Sequence, residues 1–165
     1  MPYFSAHKVD QEYKGMILEA GSFRSSDRIP AGSSLTLTNN DHAGKTILLN
    51  TAAGSTVTLP AATGSNDCFT FVVSALATSN SHIIKVANSS DIMVGVIETL
   101  DTTTGALAPF GTAAASDTIT LNRTTTGSVR IGETITVQDI ATNRWLVDGT
   151  VVISGTAATP FSATV

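Results

Sequence analysis

The chain has 165 residues, 13% charged and 5% aromatic, with a formal net charge of −4 and a mean hydropathy of +0.21. That is one domain's length, too apolar for disorder and too acidic for a nucleic-acid binder that works by neutralising phosphates. Twenty-six Thr and seventeen Ser against four Glu and four Lys exclude a helical bundle and favour strands joined by turns.

Residues 1–33 hold eight of the twenty-two charged residues, both Tyr and two of the six Phe. They read as an extended N-terminal arm with one short strand, Met16-Ile17-Leu18-Glu19, closing at the turn Ile29-Pro30-Ala31-Gly32. The first fifteen residues lack the apolar stretch of a secretion signal, and no apolar run approaches a membrane span, so the expectation is a protein made in the cytoplasm with no membrane partner.

From residue 34 to 165 the texture is that of a β-sandwich body. Ser34–Thr38 alternates Leu with hydroxyls, and the turn Asn39–Gly44 follows. Strands are predicted at Lys45–Asn50, at Thr56–Leu59 (ended by Pro60), and at Phe69–Ser74, His82–Ala87 and Asp91–Glu98. Residues 99–116, with Gly105, Pro109 and Gly111, predict a long loop. Then come Asp117–Asn122, Glu133–Gln138 and a hairpin of Trp145–Val147 with Thr150–Ile153 around Asp148-Gly149, before a small polar tail. About ten short strands and no helical period predict an all-β, single-domain antiparallel β-sandwich or jelly-roll-like barrel with an extended N-terminal arm.

The motifs of catalysis and metal binding do not assemble. His7, His42 and His82 are isolated, and there is no Cys-x-x-Cys pair, no EF-hand spacing at Asn39-Asn40-Asp41 and no Gly-x-Ser-x-Gly elbow. Cys68 opens an apolar strand beside Asp67 and reads as a small buried hydrophobe; Trp145 reads as core. The expectation is a non-enzyme without metal or cofactor. Thr and Ser lose little rotamer freedom when ordered, and a sheet nearly stripped of charge is cheap to desolvate, so this composition suits lying against other protein.

The stretches Gly44–Asn50, Gly54–Ser65, Phe69–Val73 and His82–Ala87, with Trp145-x-Val147-x-Gly149 and Ala158–Ala163, resemble small virion structural proteins of tailed bacteriophages, the head decoration or cement proteins. The likeness spans most of residues 44–163. It implies a β-sandwich or jelly-roll body, trimeric, on the capsid exterior, clamping neighbouring subunits of the major capsid protein against internal pressure, with no nucleic-acid contact. On that reading the arm reaches the capsid, with Tyr3, Phe4, Tyr13 and Phe23 as apolar anchors and Arg24 and Arg28 as carboxylate partners. The alternative is a tail-fibre or receptor-binding module recognising a host glycan, for which Phe110 in the 99–116 loop is the candidate contact.

Overall fold

Alternating apolar and hydroxyl residues build twelve strands across residues 28–165, the part of the chain described by the computed structural model. They are β1 (Arg28–Pro30), β2 (Ser34–Thr36), β3 (Thr46–Leu49), β4 (Thr56–Thr58), β5 (Cys68–Val73), β6 (His82–Lys85), β7 (Ile92–Leu100), β8 (Phe110–Gly111), β9 (Thr118–Leu121), β10 (Thr134–Ala141), β11 (Arg144–Val152) and β12 (Phe161–Ser162). One four-residue helix, α1 (Asn39–His42), stands where a turn was expected. Thr38 caps it: its hydroxyl accepts from the Asp41 N–H at 3.4 Å and donates to the Asp41 carboxylate at 2.8 Å.

A seven-stranded sheet in the order β1-β3-β5-β10-β11-β7-β8 packs on a five-stranded sheet in the order β12-β9-β6-β4-β2, giving the expected all-β sandwich. The expected antiparallel pairing is corrected, for both sheets are mixed. β1, β3 and β5 run parallel in one sheet, β2, β4 and β6 run parallel in the other, and β7 pairs parallel with β11. The cause is the route of the chain. From Arg28 to Lys85 it changes sheet at every strand, so each strand is the crossover that its neighbours in the opposite sheet require. Parallel strands need a long connection, and a strand supplies it as well as a helix does.

Two apolar rows face each other across the core. Leu35, Val57, Ile84, Ile119 and Phe161 lie in register across all five strands of the smaller sheet. Ile29, Ile47, Phe71, Ile135, Gly149, Ile97 and Phe110 lie in register across all seven of the larger. Beside the second row, Trp145 is fully buried with its ring 5.9 Å from that of Phe69, confirming its expected place in the core.

That second row corrects two expectations. Asp148-Gly149 is no hairpin turn: β11 runs straight through it, and the β10–β11 turn is Thr142-Asn143, with Asn143 at φ +60°. Gly149 lies between Ile135 and Ile97, where a Cβ would come within 2.8 Å of the Thr134 carbonyl and 3.0 Å of Ile135 Cγ1. Its smallness serves packing. The 99–116 segment, expected to be a loop throughout, instead begins with the end of β7 and contains β8, which pairs back on Val96 and Ile97. Among the described residues, no helix is long and apolar enough to cross a membrane.

Candidate interaction surface

Period-2 alternation sends every second residue of the seven-stranded sheet outward, and the registers order these residues into rows. One row reads Arg28, Thr46, Thr70, Thr136, Asp148, Val96, Gly111. The next, on one side, reads Pro30, Leu48, Val72, Thr134, Thr150, Glu98; on the other, Cys68, Gln138, Leu146, Val94. Charge therefore sits toward the margins, at Arg28, Glu98 and Arg144, with Asp148 the one ion farther in. Aliphatics are left open, with Val96 43%, Ile140 43% and Leu146 38% exposed. Six inter-strand gaps of about 4.8 Å and six residues at about 3.3 Å make a face of roughly 29 by 20 Å.

Such a face costs little to cover, because it carries few charges and mostly short side chains. Its Thr hydroxyls both donate and accept, and Leu48, Val72 and Val94 stand in the rows beside them. At about 600 Å² it approaches the roughly 800 Å² per partner of a standard protein interface. Cys68, expected to be buried, is corrected: it takes the outward phase of β5 and lies half-buried on this face, where partial burial pushes its pKa up and disfavours thiolate chemistry.

The buried ionisable groups are hydrogen-bonded into the frame. Asp139, fully buried, accepts from the N–H groups of Thr63, Gly64 and Ser65 at 2.9, 2.7 and 3.0 Å. Burial works against its ionisation, but these donors outweigh it and hold the carboxyl below its ordinary range. Asp117 is similar: burial is outweighed by the Thr164 and Val165 N–H groups and the Thr118 hydroxyl, tying the C-terminal tail to β9. Glu133 goes the other way, because burial raises its pKa despite accepting from Ser128, Val129 and Arg130 N–H at 2.6–2.8 Å. Asp91 accepts from Ala62 N–H at 3.1 Å and from the Asn88 side chain at 3.0 Å. His82 is fully buried: Nδ1 accepts from Ser55 N–H at 3.0 Å and Nε2 lies 2.8 Å from the Ala75 carbonyl, which specifies the neutral Nε2–H tautomer. Burial lowers its pKa, only partly countered by the Ala75 bond.

Of the residues expected to make contacts, Tyr3, Phe4, Tyr13, Phe23 and Arg24 lie outside the described residues, as does the expected strand Met16–Glu19. Arg28 is exposed at the end of the edge strand β1, in the outward row of Thr46, Thr70 and Thr136. Phe110 is corrected: it ends the inward row beside Ile97 and packs half-buried on the core, so no loop presents it to a ligand. The outward residues Leu48, Val72, Val94, Val96 and Leu146 were not singled out from the sequence. Their signal was present, an apolar residue at the second phase of an alternating strand, but it marks a surface only once the inward phase is known. Among the described residues, no cluster of three His, Cys, Asp or Glu could hold a metal ion. No protein-family model, no curated protein and no solved structure matches this chain.

Proposed function

We propose that this protein is a structural component of a phage virion that binds the outside of the capsid and bridges neighbouring capsid subunits. The observation that carries the reading is the outward face of the seven-stranded sheet, with its Thr46-Thr70-Thr136 row, open aliphatics and marginal charge. Low charge keeps the desolvation cost of docking small, and short hydroxyl side chains lose little entropy on being covered. Arg28 stands at the rim of this face, where a cation would pair with an acidic group of the capsid protein. Each such contact is weak, and a homotrimer would multiply it by engaging several capsid subunits at once. The resemblance to cement proteins over most of residues 44–163 supports the same reading.

The test is co-sedimentation of the full chain with purified heads that lack it. Thr136→Lys places a charge at the middle of the face while leaving the core untouched. The native chain is expected to saturate the heads at high copy number and the variant, folded by circular dichroism, to stay in the supernatant. Equal binding by the two chains, or none by either, overturns the proposal.

A further inference from the structure

A cavity of about 520 Å³ opens among loops at one end of the sandwich, lined by the β5–β6 loop (residues 77–81), the turn after β9 (residues 122–124) and Ser154. Its lining is hydroxyls and amides with one ion, Arg123, and contains no acid. Both walls are held by hydrogen bonds within the protein. The Thr78 N–H donates to the Ala52 carbonyl at 2.7 Å, Asn80 Nδ2 to the Ala53 carbonyl at 2.9 Å, and the Ala77 N–H to Ser128 Oγ at 2.7 Å. Gly54 lets the two loops approach: a Cβ there would lie 2.5 Å from the Ser81 carbonyl. On the facing wall, Asn122 Oδ1 accepts from the N–H and hydroxyl of Thr124 at 3.0 and 2.8 Å, which fixes the turn that carries Arg123.

With the Thr78 hydroxyl donating to the Ala52 carbonyl at 3.1 Å, these bonds engage Thr78, Asn80, Asn122 and Thr124 in the walls, while Asn122 Nδ2 and Asn80 Oδ1 stay free among the described residues. Among the described residues, the side chains of Ser79, Ser81, Ser154 and Arg123 make no hydrogen bond and are left to a ligand. Three hydroxyls that both donate and accept match a polyol, and a guanidinium fork matches a carboxylate. The volume falls in the range of small-molecule sites, roughly 300–1,000 Å³. We propose that this cavity binds an acidic saccharide unit, its carboxylate on Arg123 and its ring hydroxyls on Ser79, Ser81 and Ser154. No aromatic platform lines it, so a single site is weak and useful binding comes from many copies displayed together. The site draws nothing from the outward rows of the seven-stranded sheet, so this proposal and the capsid reading fail separately.

The test is an amide NMR titration of the full chain with sodium glucuronate, with glucose and sodium acetate as separate arms. Glucuronate is expected to shift the amides of residues 77–81 and 122–124 saturably, and both controls to bind about tenfold more weakly or worse. Arg123→Gln should reduce glucuronate binding to the level of glucose, with Arg123→Lys between the two. Because Arg123 is exposed and its turn is held by Asn122, both variants should keep the native spectrum elsewhere. Acetate binding as well as glucuronate, absence of saturable shifts, or an unchanged Arg123→Gln affinity overturns the proposal.

Discussion

Replacing Asp139 by Asn isolates what one buried carboxylate does for this fold. Asp139 is 0% exposed and accepts five hydrogen bonds: from Thr63, Gly64 and Ser65 N–H at 2.9, 2.7 and 3.0 Å, and from the Thr63 and Ser65 hydroxyls at 3.2 and 3.0 Å. Asn keeps the volume but removes the charge and turns one oxygen into a donor, which must then face an N–H group. Hydrogen bonds to a charged group contribute about 1.5–3 kcal/mol each, and water can reach the exposed residues 63–65 to offset most of the five. The expected net loss at pH 7 is about 2–4 kcal/mol, or roughly 10 °C in Tm for a chain of this size. The pH dependence gives a second readout. The native-state pKa of Asp139 lies below its unfolded value of about 3.9, so its contribution is complete above about pH 4 and is lost as pH falls through the depressed native value. Urea unfolding from pH 7 down to pH 2.5 should therefore show the native and Asp139→Asn stabilities converging below about pH 4. Equal stability at pH 7, or a gap that stays constant into acid, would refute the reasoning.

Glu133 predicts the opposite slope: its native pKa is raised by burial, so stability is complete below the unfolded value near pH 4.3 and declines as pH rises through the native value, and Glu133→Gln should flatten that decline in the same urea series. His82 is held neutral with its pKa lowered, so stability should be complete above about pH 6.5 and fall as pH drops through the native value; His82→Ala, which strands the Ser55 N–H and Ala75 carbonyl, should cost about 2–4 kcal/mol at pH 7.5 by chemical denaturation. Gly95 sits at φ +141° opposite Val147, where a Cβ would collide with the Val147 carbonyl, so Gly95→Ala should lower Tm by well over 5 °C in a thermal melt and speed amide exchange along β7 and β11.

Local chemistry carried the strands. Thr56-Val57-Thr58 and Ser34-Leu35-Thr36 declare an inward and an outward face within three residues, and the core roles of Trp145, Phe69 and Phe71 follow from the same alternation. Asp148-Gly149 misled because that pair suits a tight turn on local grounds; the chain instead turns at Thr142-Asn143, and Gly149 is small because Ile135 crowds it. Phe110 looked like an exposed loop aromatic because two residues of strand give no periodic signal.

The sequence by itself determined the all-β class, the approximate strand positions and the shortage of charge, because period-2 patterning and turn residues act over a few neighbours. Only the tertiary structure decided that β1 to β6 wind parallel between two sheets, that the outward rows of β3, β5, β10, β11 and β7 join into one face, and that Asp139 and Glu133 collect backbone N–H groups from distant or tightly turned chain. Strand direction and register depend on which long-range pairings bury the most apolar surface at once, and that quantity belongs to the whole chain and to no short stretch of it.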